Sequence, residues 1–385
     1  MKIACVADVH LWNHPQGCTR TSTGPLNERA SQIASSLADA KAAAVVDDAD
    51  GFVVLGDLFD RHNPAPPLVA AAQDALSHGQ GRDKHRPPVW VLMGNHDMAS
   101  TEEGHHALGP LHGYGEIRVV AETHAVLLDS GDGDDPLALG FLPYRPEPVE
   151  AWLEAELDTL ANRMHGMTLR GGPRARVLLM HAGLRAGDEP PWLREGHDSV
   201  DAALVQRLAH DRGFTAIMAG NWHERRMFDG PCPALQVGAL VPTGWDNPGT
   251  KGYGTVAFYD STTGFSMVEI PGPRFLNCTP EEARATVASR GGHPGLGMYR
   301  IRIKGTASDP QLVNDLKAQG YGYVAEVVDD DEARVAGRAA AREARDATTL
   351  DKALAYYVEE LVVQEPADKA TVLDMANRYL KGQTV

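Results

Sequence analysis

Phe52-Val53-Val54-Leu55-Gly56-Asp57-Leu58-Phe59-Asp60-Arg61 joins an uninterrupted apolar run to two carboxylates within a few residues. Phe52 to Leu55 is β-branched and aromatic with no polar alternation, the pattern of a strand buried on both faces. Gly56 lets the backbone turn tightly where the strand ends, and Asp57 follows at once.

The same arrangement recurs along the chain. Lys2 to Ala7 leads into Asp8-Val9-His10, Val89 to Met93 into Gly94-Asn95-His96-Asp97, Val177 to Met180 into His181, and Ala216 to Ala219 into Gly220-Asn221-Trp222-His223. Between these runs, Leu26 to Val46 places Ile33, Leu37, Ala40 and Ala44 at helical spacing, and Val149 to Met164 does the same with Trp152, Leu153, Leu157 and Leu160. Strands and helices take turns, which predicts an α/β fold. In an open α/β sheet the ligand crevice lies beyond the carboxyl ends of the strands, so the five polar segments are expected along one rim.

From about Met227 to Ile270, strand-like pieces such as Gly254 to Tyr259 and Phe265 to Ile270 are separated by Gly and Pro turns. They predict a second sheet that completes a sandwich. Pro271 to Gly297 reads as a boundary, and Tyr299 to Lys304, Asp309 to Gln319 and Tyr323 to Val328 as a β-α-β-like unit. Helices around Glu332 to Asp346, Leu350 to Val363 and Asp368 to Leu380 close the chain. The expected division is 1–272, 296–330 and 331–385.

At 385 residues there is length for a large domain and a smaller one. Hydrophobic content of 43% with 23% charged residues is that of an ordinary globular protein, and no apolar run approaches the roughly 20 residues of a membrane-spanning helix. No membrane partner is expected. Met1 to Ala7 is too short for the core of a signal peptide. Cys5, Cys18, Cys232 and Cys278 show no CxxC pair, which predicts free thiols in a reducing compartment. A net charge of -16 argues against a nucleic-acid partner, since proteins that track phosphates usually carry a basic stripe. Metal ions would neutralise part of that charge, and a local grip or a partner subunit needs no basic total.

Hydrolysing a phosphate diester at neutral pH requires a nucleophile made from water and compensation for charge on the phosphoryl oxygens. Two divalent ions about 3.5 to 4 Å apart supply both. Asp57 has two oxygens with which to bridge them. Asp8 and His10, two apart in an extended segment, can grip one ion, while Asn95 offers a carbonyl oxygen and His181 a ring nitrogen to the other. A lone DxH or GNHD occurs by chance, Asp57 to Asp60 alone could be a simple turn, and His181 alone a core histidine. Five such segments in order, each ending a strand, do not arise that way. The remaining histidines, His14 among them, read as surface or loop residues, with His62 adjoining the site.

This ordered set resembles the calcineurin-like metallophosphoesterase superfamily over about residues 1 to 270. More narrowly it resembles the SbcD-type DNA exonucleases of bacteria and bacteriophages, through Gly56 to Arg61 followed by Asn63-Pro64, Asn27-Glu28-Arg29 before it, and Val237-Gly238-Ala239-Leu240-Val241-Pro242-Thr243 after the last motif. The resemblance implies a four-layer α-β-β-α sandwich with a small α+β capping domain and terminal helices. It implies that Asp8, His10, Asp57 and His223 hold the first metal and Asp57, Asn95 and His181 the second, with manganese favoured over magnesium. His96 matches the catalytic histidine that contacts the scissile phosphate, and Asp97 is expected to orient its ring. The last motif departs from the family's Gly-His-x-His, so Asn221 stands where the second metal expects an imidazole. The favoured expectation is that Asn221 ligates through its side-chain oxygen.

The implied activity is metal-dependent DNA exonuclease and endonuclease chemistry, as the nuclease subunit of an SbcCD-type complex in repair or recombination. The implied location is the cytoplasm of a bacterium or of an infected host. The implied partners are DNA, an SbcC-type coiled-coil ATPase bound by the last helices, and a second copy of the chain. The apolar positions on those helices equally suit packing on the protein's own core. Two alternatives stand beside it: a phosphatase or phosphodiesterase acting on small molecules or proteins without an ATPase, and a DNA-end-binding subunit with weakened catalysis.

Overall fold

The computed structural model describes residues 1–15, 18, 24–77, 87–99, 105–129, 136–167, 175–188, 198–245, 254–289, 299–305 and 309–328. The first sheet contains β1 (Lys2–Val6), β2 (Gly51–Val54), β3 (Val89–Leu92) and β4 (Ile117–Val120), all parallel; the buried, non-alternating sequences of β1, β2 and β3 suit such pairing, and β4 is half-exposed. The second is built from β5 (His124–Leu128), β6 (Leu137–Leu142), β7 (Ala175–His181), β10 (Ala216–Gly220), β11 (Arg226–Phe228) and β12 (Ala234–Gln236), in the order β11-β12-β10-β7-β6-β5. Between β7 and β10 lies a short parallel pair, β8 (Gly183–Arg185) with β9 (Ser199–Asp201).

Within each strand, alternate residues face different layers. Ile3, Cys5, Val53, Trp90 and Leu92 pack between the sheets against Leu139, Phe141, Val177, Leu179 and Met218. Ala4, Val6, Phe52, Val54 and Val91 face outward and are covered by α1 (Glu28–Val46) and α2 (Pro66–Ser77) through Ile33, Leu37, Leu68 and Ala72. On the other side, Leu178, Met180 and Ile217 are covered by α3 (Val149–Gly166) and α4 (Ala202–Asp211) through Leu153, Leu157, Leu160 and Val205. The result is an α-β-β-α sandwich. Truncating one of these leucines to alanine costs about 2–5 kcal/mol.

Two expectations from sequence are corrected here. The five site strands do not share one sheet: β1, β2 and β3 belong to the first, β7 and β10 to the second. Nor do the strands after residue 227 form a sheet of their own. β11 and β12 extend the second sheet, while β13 (Thr255–Asp260) returns antiparallel to β1 and, with β14 (Gly264–Glu269), extends the first. An apolar run signals burial on both faces but carries no label for its neighbour.

β15 (Arg274–Cys278), β16 (Tyr299–Gly305) and β17 (Tyr323–Val328) form a separate parallel sheet. α5 (Pro280–Ser289) and α6 (Pro310–Ala318) accompany it, and Ala283, Ile301, Ile303, Leu312, Leu316 and Val324 form its own core. The stretch 271–297, read as a boundary, thus contributes a strand and a helix to this unit. The buried Arg300 of β16 joins it to α1, donating to Glu28 Oε1 (2.9 Å) and Gln32 Oε1 (2.8 Å). The helices expected beyond residue 331, with their suggested docking positions, lie outside the described residues.

Candidate metal centre

The loops that follow β1, β2 and β3 meet those that follow β7 and β10, and backbone bonds fix their register. His10 N–H donates to Asp57 O (2.9 Å), Leu11 N–H to Leu58 O (2.9 Å) and Asp8 N–H to Gly56 O (3.2 Å), while Leu11 and Phe59 form an isolated parallel bridge. The second sheet is tied in by Asn221, whose backbone N–H donates to both oxygens of Asp8 (3.0 and 3.1 Å). His181 provides the other tie, its Nδ1 lying 2.6 Å from Leu55 O.

Backbone strain collects at this point. Asp8, His10, Asp57 and Asn221 have φ of 50°, 48°, 51° and 88°, and Asp48 is the other non-glycine with positive φ among the described residues. A left-handed residue of this kind costs about 1 kcal/mol or more and persists where its surroundings dictate it. Gly56, at φ 88°, is required twice over, because a Cβ there would meet His181 Nδ1 at 2.0 Å.

The side chains converge in two groups around Asp57. His10 Nε2 and His223 Nε2 face each other at 3.0 Å, with His10 Nε2 3.8 Å from Asp57 Oδ2. Asp8 joins that side, its carboxylate lying with His10 and His223 within metal-chelating range. His181 Nε2 lies 3.0 Å from Asn95 Oδ1 and 3.5 Å from Asp57 Oδ2, with Asp8 again in range. With Nδ1–H donating to Leu55 O, Nε2 faces two acceptor oxygens, where it either carries a second proton or, in the neutral ring, turns a lone pair towards a cation. A lone pair likewise faces another nitrogen between His10 and His223. Each of these close pairs needs a proton or a metal cation between its atoms, and carboxylate, imidazole and amide oxygen donors gathered in chelating range fit divalent metal ions.

Electrostatics agree. Burial alone would raise the pKa of Asp57, but His181, His10 and His96 hold its carboxyl below the usual range. Burial also opposes charge on His181, which is nonetheless raised to about 9 by the carboxylates of Asp57 and Asp8 and by the Leu55 carbonyl. His223 is lowered to about 3 by burial and by the adjacent His10, which keeps its ring neutral.

His96 is exposed, with its Nδ1 2.8 Å from the carbonyl oxygen of Asp60 and its ring edge-on to His10 at 4.7 Å between centroids. Its own N–H donates to Asp57 Oδ1 (2.9 Å). The expected bond between Asp97 and this ring is therefore corrected. The buried Asp97 carboxylate instead accepts from the backbone N–H groups of Phe59 (3.1 Å), Gly94 (3.1 Å) and Leu58 (3.4 Å) and braces the two loops together. A short side chain next in sequence to the ring satisfies turn donors more readily than it reaches that ring.

Asn221 donates from Nδ2 to Asp198 O (2.9 Å), and its Oδ1 accepts no hydrogen bond among the described residues. Asp60 is a site residue that the sequence reading left unassigned: its carboxylate lies 3.4 Å from His10 Nδ1 and in chelating range of His10 and His96. The spacing Asp57-x-x-Asp60 was the available signal. His14, read as a surface or loop residue, is half-buried with Nε2 3.0 Å from His10 O.

A sandwich whose strand ends gather carboxylates and imidazoles in metal-chelating range around Asp57 fits a metal-dependent hydrolase. The sequence profile described as calcineurin-like phosphoesterase matches residues 1–225, and the chain belongs to that family, which uses a dinuclear metal centre. It is similar to the DNA double-strand break repair protein Mre11 of Archaeoglobus fulgidus, with 33% identity over 106 residues, 26% of this chain and 20% of that protein. The match thus spans about a fifth of that relative. Among solved structures, the chain is similar to TT1561 of Thermus thermophilus (14% identity, 70% of this chain and 98% of that one, TM-score 0.42). It is also similar to a dimetal phosphatase from Danio rerio (14% identity, 70% and 97%, TM-score 0.40).

Proposed function

We propose that this protein is a metal-dependent DNA nuclease of the SbcD type, with exonuclease and endonuclease activity in repair or recombination. The observation that carries the reading is the 33% identity with the archaeal Mre11 repair protein. The segment Gly56 to Arg61 with Asn63-Pro64 supports it.

In this reading Asp8, His10, Asp57 and His223 hold one metal ion, and Asp57, Asn95, His181 and the Asn221 carbonyl oxygen hold the other, manganese being favoured. When bound, the ions supply charge compensation at the phosphoryl oxygens and a water of lowered pKa. His96 does the proton work: with Nδ1–H held on the Asp60 carbonyl, the exposed ring in its imidazolium form gives its Nε2 proton to the leaving oxygen and is left as the neutral Nδ1–H imidazole. Asp97 keeps the loops carrying Asp57 and His96 in register. Residues 274–328 act as a cap, residues 331–385 bind a coiled-coil ATPase, and the chain pairs with a second copy.

A net charge of -16 favours the second reading, a phosphatase or phosphodiesterase acting on small molecules or proteins. Manganese-dependent degradation of end-labelled duplex DNA, beside hydrolysis of bis-nitrophenyl phosphate, separates the two. Nucleotide release lost in His96→Ala is the expected result. Turnover of the small diester with intact DNA, with and without the ATPase, would favour the second reading.

A further inference from the structure

Trp222 sits between Asn221 and His223, and its indole has an unusual seat. A Cβ built on Gly183 would meet Trp222 Nε1, Cε2 and Cδ1 at 2.3, 2.4 and 2.7 Å, so the five-membered ring lies face-on against the glycine backbone. Gly183 is two residues beyond His181, which places the ring between the ends of β7 and β10, beside the second half-site. Gln236 Nε2 donates to Trp222 O (3.4 Å) and to Gly220 O (2.8 Å), which fixes the backbone that carries the indole.

The ring is not part of a core. Trp90, Trp152 and Trp245 are 1%, 9% and 6% exposed, whereas Trp222 is only partly buried, on a loop that carries candidate ligands. A second aromatic side chain adjoins the same half-site. Tyr144, also partly buried, meets His181 edge-on at 6.5 Å, and the carboxylates of Asp198 and Asp57 are near enough to help burial raise its pKa. The Asp198 carbonyl in turn accepts from Asn221 Nδ2 and from Gly183 N–H, which ties the glycine that seats Trp222 to the loop carrying Asn221.

A large flat ring seated on one face against Gly183 and only partly buried, beside a phosphodiester site, suits a flat ligand attached to the phosphate. A nucleobase is such a ligand, whereas a phosphoserine or an alkyl phosphate has nothing to stack. We infer that Trp222 is a stacking platform for the unpaired nucleobase next to the scissile phosphate. The inference rests on the nuclease reading above and adds that the strand is engaged through an unstacked base. Aromatic platforms contribute about 1–3 kcal/mol per base, or roughly 5- to 150-fold in affinity.

The test compares binding of a short labelled single strand with the same strand made abasic along its length, by anisotropy with chelator present so that neither is cut. The wild-type protein is expected to bind the base-bearing strand about tenfold tighter. Trp222→Ala should bring that affinity down to the abasic level, and Trp222→Phe should keep most of the preference. Equal affinity of the wild type for both strands, no binding of either, or a parallel fall for both strands in Trp222→Ala would overturn the inference. Cleavage of the two strands with manganese added then reports on the nuclease reading separately: cleavage without base preference leaves that reading standing, and preference without cleavage counts against it alone.

Discussion

The Nδ1 of His181 lies 2.6 Å from the carbonyl oxygen of Leu55, so a ring from the second sheet is oriented by the last peptide of a strand in the first. This contact determines which nitrogen faces Asp57 and Asn95 and couples the metal centre to the packing of the two sheets. The buried carboxylates of Asp57 and Asp8 that this ring then faces make the metal-free protein sensitive to pH.

Without metal, a proton on His181 Nε2 is what reconciles the facing lone pairs, and the folded pKa is raised to about 9 from an ordinary 6.5. The stabilisation from this group is fully present below pH 6.5 and is lost as pH rises through 9, an effect on the order of 3 kcal/mol. His223, lowered to about 3, acts in the opposite sense: its contribution is present above pH 6.5 and lost as pH falls towards 3. Chelated protein should therefore melt highest near pH 6.5, and the gain in Tm on adding manganese should grow between pH 6.5 and 9. A chelated protein as stable at pH 9 as at 6.5 would contradict this.

Asp97 and His96 are adjacent but should fail differently. Asp97→Ala strands three backbone donors and should cost about 2–4 kcal/mol in denaturant unfolding. His96→Ala removes an exposed ring and should leave stability within about 0.5 kcal/mol while abolishing turnover. Equal stability losses in the two variants would show that Asp97 does not brace the loops.

Asn221→His restores an imidazole where the family expects one. Calorimetric titration should show the second manganese binding at least tenfold tighter, about 1.4 kcal/mol or more. Unchanged affinity and stoichiometry would remove Asn221 from the ligand set.

Much of this centre was legible because each ligand loop follows a strand of uninterrupted apolar residues, and because Gly56 announces the turn that its φ of 88° requires. Sheet membership was not legible: β1 and β7 are equally apolar, and only their long-range partners distinguish them. The return of β13 to pair with β1 was hidden for the same reason. Asp60 and His14 escaped notice because their contacts with His10 and His96 run partly through backbone carbonyls, which no side-chain pattern encodes. Asp97 was seen but misassigned, since its three donors come from two separate loops that the fold alone brings together.

The central claim is that Asp57 serves both half-sites of a dinuclear centre. Manganese titration of the wild-type chain and of Asp57→Ala, with bound metal counted after gel filtration, tests it directly. The account predicts two ions per wild-type chain and near-complete loss of both in Asp57→Ala, with the variant still folded by circular dichroism. One ion retained at wild-type affinity in the variant, or none bound by the wild type, would contradict it.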